Sequence, residues 1–227
     1  VSNVLRMNSG RRKVRSLTPP PTVEDTIDFF DGSGTHSVVA RPERELPPGG
    51  VPAYLEARKT GVRSFVLWTD EHRRERVATV VTRSAGGGVA TFQVLGPQGE
   101  LIGTIVREKA LRGRGLRTRW TVTQPGGPEM VGYKGRIVWW FLWWLCLPLM
   151  VVLVLITVFD SVPGNEAGAA RAPRRIRWRA AGRMPLEFRS RGDKLHLHAP
   201  EVDWRLGAAL VALVRSFSAV NWDGHKT

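Results

Sequence analysis

Asp203-Trp204-Arg205-Leu206-Gly207-Ala208-Ala209-Leu210-Val211-Ala212-Leu213-Val214-Arg215-Ser216 is the stretch on which the fold turns. Asp203 is placed to cap a helix, and residues 206–214 are apolar on every face. A helix without a polar stripe has no side for water, so protein or lipid must enclose it. The reading is a helix over residues 203–222, and the rest of the chain must supply its surroundings.

Upstream of it the chain is written in short strands. Residues 63–69, 76–82, 89–95, 101–107, 116–123 and 129–133 are runs of β-branched and aromatic residues, several of them alternating. Gly86-Gly87-Gly88, Gly96-Pro97-Gln98-Gly99 and Gln124-Pro125-Gly126-Gly127-Pro128 supply the turns between them. Within residues 89–104 the order is strand, four-residue turn, strand, which is a hairpin with its register set by the loop. These segments form an antiparallel meander. Residues 175–179 alternate like a strand with one charged face, and 186–189 and 194–198 add two more.

Between the two groups of strands lies an uncharged run, residues 137–159, with Thr157 its only hydroxyl. Its length matches the roughly 20 residues that a helix needs to cross a bilayer. Trp139, Trp140, Trp143 and Trp144 recur at helical spacings beside Arg136, as interfacial anchors do. Pro148 divides the run into two halves of eleven residues, each reaching about 16 Å as helix, half a bilayer. A single pass would put residues 1–136 and 160–227 on opposite sides and prevent a barrel from closing with strands of both. A re-entrant hairpin would spare the barrel but leave turn backbone unsatisfied in hydrocarbon. A soluble reading, two strands or a covered hairpin, would need an unusually large core for four Trp in six residues. Lys134 and Arg136 before the run and Arg171, Arg174, Arg175, Arg177 and Arg179 after it favour holding both flanks on the cytoplasmic side.

Across all 227 residues, Lys and Arg number 34 against 20 acids, a net charge of +14. Such an excess selects anionic partners, and the apolar run tips the choice from nucleic acid to phospholipid. Cys146, the sole cysteine, rules out a disulfide within this sequence and any Cys-based zinc site. Residues 1–60 contain no long apolar run, and with no signal-peptide core the amino-terminal part is expected to be cytoplasmic. Their Pro and Arg content, with Arg11-Arg12-Lys13-Val14-Arg15 and Pro19-Pro20-Pro21, reads as a disordered basic tail.

Chemistry-bearing constellations are few. His196 and His198 share a strand face, but two histidines make half a metal site, and no metal or other cofactor is expected. No nucleophile, carboxylate pair or metal set converges, so the chain reads as non-enzymatic. Arg112, Arg114, Arg117 and Arg119 crowd the link between two strands and, with Arg174, Arg175, Arg177 and Arg179, are the candidates for binding lipid headgroups in one cationic rim.

A hairpin with a Gly-containing turn, the strand end Gly103-Thr104-Ile105-Val106-Arg107, the strand Arg119-Trp120-Thr121-Val122, and Asp203-x-Arg205 before an apolar helix resemble the tubby-like superfamily, which includes phospholipid scramblases and LURP-one-related proteins. The resemblance spans residues 62–222 and implies a barrel of about twelve strands closed around a carboxy-terminal helix. The acidic calcium loop and cysteine cluster of scramblases have no counterpart, and the basic pocket of tubby proteins has no residue-by-residue match.

The expected fold is mainly β with α: an antiparallel β-barrel around the hydrophobic helix, plus one inserted transmembrane or re-entrant segment. The division is a tail (1–60), a first β part (61–136), the apolar segment (137–159) and a second β part with the helix (160–227). The expected function is binding of anionic phospholipid at the cell membrane. Phospholipid scrambling, and regulation through protein or nucleic acid bound by the basic tail, are the alternatives.

Overall fold

A computed structural model describes residues 3–9, 22–32, 34–111, 115–134, 175–218 and 222–223. Within them the alternating segments become β1 (Asn3–Asn8), β2 (Thr26–Phe30), β3 (His36–Arg44), β4 (Phe65–Trp68), β5 (Arg76–Gly86), β6 (Val89–Leu95), β7 (Leu101–Glu108), β8 (Arg119–Thr123), β9 (Met130–Lys134), β10 (Arg175–Ala180), β11 (Arg183–Arg189) and β12 (Lys194–Leu197). Each pairs antiparallel with its neighbours in sequence, and β1 pairs with β12, so the meander closes into a twelve-stranded barrel with no free edge. Two helices accompany it among the described residues, α1 (Gly50–Thr60) and α2 (Trp204–Ser216).

α2 answers the question set by its sequence. It touches β1 and β12 on one side of the ring and β5 and β7 on the other, which a single helix can do only from inside. A twelve-stranded ring is too wide for its own side chains to fill, and the helix occupies the space left over. Leu206 to Val214 are all buried, and Asp203 caps the first turn by accepting from the Arg205 amide at 2.8 Å. Close docking depends on two glycines. A Cβ on Gly207 would lie 2.8 Å from Leu5 Cδ1, and one on Gly103 would meet the Thr123 carbonyl at 2.7 Å.

The barrel's ends differ. At the end where α2 enters, successive strands are joined by short turns such as Gly96 to Gly99 and Gln124 to Gly127. At the end where it leaves lie α1 and the long connections at residues 109–118 and 135–174. Three arginines gather there around the carbonyl end of α2, where positive charge is favoured by the exposed carbonyls. Arg58 donates to Ser216 O at 2.9 Å, while Arg63 and Arg107 stack on Phe217 at 4.2 and 4.1 Å. Asp223, fully buried, accepts from Tyr54 at 3.0 Å and Arg58 at 2.8 Å and faces Arg63 at 3.3 Å. Burial first, then the Asp223 carboxylate, drives the Tyr54 phenol well above its ordinary range, so it stays a donor. Burial lowers Arg63 to about 10 against the pull of Asp223, and it is a cation at neutral pH.

Two expectations need correction. The disordered tail of residues 1–60 is not what the described part of it forms: β1 to β3 are integral staves, and α1 packs by Tyr54 and Arg58 on the carboxy-terminal residues. Leu5, Met7 and Ile27 are the reason, since three core side chains at strand spacing suffice when the rest of the ring supplies partners. Residues 10–21, with the basic and Pro-rich clusters, lie outside the described residues.

The second correction concerns the membrane segment. Among the described residues no helix is long and apolar enough to cross a membrane. Trp139, Trp140, Trp143, Trp144 and Pro148 lie outside them. The flanks of that segment are described. Lys134 on β9 is the register partner of Ile176 on β10, so the chain leaves the barrel and returns between neighbouring strands, about 5 Å apart. A single crossing of a bilayer would separate β1 to β9 from β10 to β12, and this barrel excludes it.

Candidate functional site

The strands beside that exit carry an unusual arrangement of charge. Along β10, β11, β12 and β1 the buried residues Ile176, Trp178, Leu186, Phe188, Leu195, Leu197, Leu5 and Met7 face the core, so their neighbours face outward. Register aligns those outward residues into rows. Arg175 opposes Arg189, Arg189 opposes Lys194, and Lys194 opposes Arg6. Like charges directly opposite each other destabilise a sheet, and here three such pairs follow in succession. The row ends at Asp28, whose carboxylate also accepts from Asn8.

One row deeper sits the main counter-charge. Glu187 opposes Arg177 and His196 and is only 1% exposed, although it projects from the outer face, because arginine side chains cover it. Arg175, Arg177 and Arg189 donate to it at 3.0, 2.8 and 2.7 Å. Burial alone would raise its carboxyl, but these three charge-assisted bonds outweigh burial and hold it at about 2. One carboxylate against three guanidiniums leaves the cluster cationic, and Lys194 enlarges the surplus, while Arg6 stands opposite Asp28 and close enough to Asp193 to attract it. The same row continues the other way through Tyr133 to Arg119, with Arg117 stacked over the Tyr133 ring at 4.7 Å.

The candidate arginines of the sequence therefore divide. Arg117, Arg119, Arg175 and Arg177 converge on neighbouring strands at one end of the barrel. Arg119 is answered by Glu108 at 3.9 Å and Glu129 at 3.2 Å, and Arg175 and Arg177 share Glu187. Arg179 is exposed further along β10, opposite Val131. Arg112, Arg114 and Arg174 lie outside the described residues. Arg189 and Lys194 belong to the surface and were missed, and Arg6, read from the sequence as part of the amino-terminal basic cluster, joins them, since only the register of β1, β11 and β12 brings the three to Arg175.

His196 and His198 stack at 5.9 Å, parallel to within 9°. Burial, and next the charge of Arg189, lowers the His196 imidazole below its usual value, which favours a neutral ring at neutral pH. Among the described residues no group of three or more His, Cys, Asp and Glu could hold a metal ion.

Comparison with known proteins identifies no relative: no family model, curated protein or solved structure matches the chain. The fold and this surface are the grounds for any reading of function.

Proposed function

We propose that the chain is a non-enzymatic, membrane-associated protein of tubby-like architecture that binds anionic phospholipids through the barrel end bearing the cationic rows. The observation that carries the reading is one of position. The 40 residues 135–174, which contain the apolar run 137–159, depart and return between β9 and β10, and the surplus arginines stand on the adjoining strands. An apolar anchor beside basic residues gives both of the signals that stable peripheral attachment requires, hydrocarbon burial and attraction to acidic headgroups. The twelve strands and enclosed helix support the tubby-like likeness, as an argument about architecture.

The return of the chain to the same barrel end favours the re-entrant form of the segment. Basic residues on both flanks favour the cytoplasmic face of the cell membrane. Pro148 then stands where the run reverses. Vesicle flotation tests the reading. The full chain is expected to float with vesicles containing phosphatidylserine and less with neutral ones. Replacing residues 135–174 by Asn-Gly leaves, with Arg175, a three-residue hairpin connection between Lys134 and Ile176, so the barrel can still close. That variant should lose most of its flotation. Undiminished binding by it, or equal binding of the full chain to neutral and acidic vesicles, would sink the proposal. Reporters fused at Thr227 and at the amino terminus should report one side of the membrane, and opposite sides would overturn the re-entrant form.

A further inference from the structure

Next to the departing chain stands a second feature with amphipathic chemistry. The connection from β7 to β8, residues 109–118, is tied at its base: Lys109 N donates to Gly88 O at 2.7 Å, and Thr118 O accepts from Lys134 N at 2.9 Å. That second bond fastens the loop to the last described residue before the apolar segment. Leu111 N donates to Gly115 O at 3.0 Å, and Leu111 is in the left-handed region at φ 64°. A leucine in that conformation is strained, and glycine would relieve it.

The loop also exposes what water disfavours. Leu111 is 69% exposed and Leu116 51%, and the adjacent Tyr133 ring is 43% exposed under the Arg117 guanidinium. From Lys109 to Arg119 the sequence holds five cations and no acid. Leucines at a strained tip, cations at its base and an aromatic ring with a polar edge have one physical solution in common. That solution is the boundary between headgroups and acyl chains, where apolar tips leave water and basic stems stay at the phosphates.

We infer that the described residues of this connection form a second bilayer contact, with Leu111 and Leu116 entering the headgroup boundary of an anionic membrane while Lys109 and Arg117 remain at phosphate level. The inference rests on the membrane reading above and deepens it. Two contacts on neighbouring strands, the loop and the apolar segment, fix the barrel end-on to the bilayer with the entry end of α2 pointing away. One contact alone would let the barrel swivel.

The test uses the full chain. Cys146→Ser removes the sole cysteine, and Leu111→Cys, Leu116→Cys or, at the opposite end, Gln98→Cys then carries an environment-sensitive fluorophore. With vesicles of phosphatidylcholine and phosphatidylserine, the probes at 111 and 116 are expected to shift to the blue and be quenched by lipid-borne quenchers, and the probe at 98 to do neither. In parallel, Leu111→Ser with Leu116→Ser should weaken vesicle binding roughly tenfold with unchanged thermal unfolding, since both side chains are exposed. If the labelled chains float but the probes at 111 and 116 stay as wet as the one at 98, this inference fails and the membrane reading stands. Failure of the unlabelled full chain to float with any vesicle overturns both.

Discussion

The two ends of the barrel are made from the same twelve strands but answer their charges differently. At the entry end of α2, ion pairs are local and nearly balanced: Arg205 reaches Asp203 at 2.9 Å and Glu100 at 3.4 Å, and Arg41 lies 3.7 Å from Glu71. At the exit end one buried carboxylate, Asp223, serves Arg58 and Arg63, and another, Glu187, serves three arginines, while Lys194 and Arg6 extend a row of like charges. Long connections gather at this second end. Loops on a rigid frame are where binding tends to reside. The entry end is built for closure, and the exit end carries more cations than its two buried carboxylates can answer.

The largest effect is expected at Asp223. Removing this carboxylate by Asp223→Ala strands Arg58 and Arg63 and takes the partner from the Tyr54 hydroxyl. A loss of about 4 kcal/mol is expected in urea unfolding, in line with removal of one member of a buried charge set. A loss below about 1 kcal/mol would show that the carboxy-terminal residues are not held by this cluster. The entry end should instead be broken by apolar deletion. Leu206 is fully buried against Gly103, and Leu206→Ala should cost about 3 kcal/mol through lost contact and the cavity left behind. Truncating Arg205 to Ala nearby should cost under about 1 kcal/mol, because its pairs are partly exposed.

How much of this was legible beforehand follows from which interactions each element needs. β6 and β7 were read within a residue of their ends because their alternation and intervening turn are local facts. The capped apolar helix was legible for the same reason, though it ends at Ser216 rather than near 222. β1 and β2 were hidden. Each has only two fully core-facing residues or fewer and sits beside Pro and Arg runs, so its strand character comes from partners far along the chain. α1 had signals that went unused: Pro52 in its first turn, and Gly61 in the left-handed region after its last, donating to Arg58 O at 3.1 Å. At the site, Arg175 and Arg177 were visible as an alternating charged face. Their partnership with Arg189, Lys194 and Arg6 depends on register across four strands, which composition does not contain.

Glu187 ties the stability of the exit end to pH. Its folded carboxyl sits at about 2 against an ordinary 4.5, so its contribution is complete above about 4.5 and drains away as pH falls towards 2. The full chain should lose stability across that window, and Glu187→Gln should flatten the loss. At neutral pH the same substitution should cost about 2 kcal/mol, less than Asp223→Ala because the three guanidiniums are partly exposed and water can take over their solvation. An unchanged acid profile in Glu187→Gln would mean that other carboxylates govern acid unfolding.

The smallest effect decides whether the cationic row serves the fold or a partner. Lys194 opposes Arg189 and Arg6 and does not donate to Glu187, so neutralising it removes cross-strand repulsion without disturbing the buried carboxylate, while Arg6 also opposes Asp28. Lys194→Gln should therefore leave the unfolding midpoint unchanged or slightly raised, whereas Arg6→Gln also gives up attraction to Asp28 and Asp193 and should not raise it. Binding to phosphatidylserine vesicles should weaken by about 1 kcal/mol for each, roughly fivefold, and the deficit should shrink in high salt. A row serving only the fold would move stability and leave vesicle binding alone. A row kept for an anionic surface weakens binding in Lys194→Gln without loss of stability, and flotation paired with urea unfolding on that variant separates these outcomes.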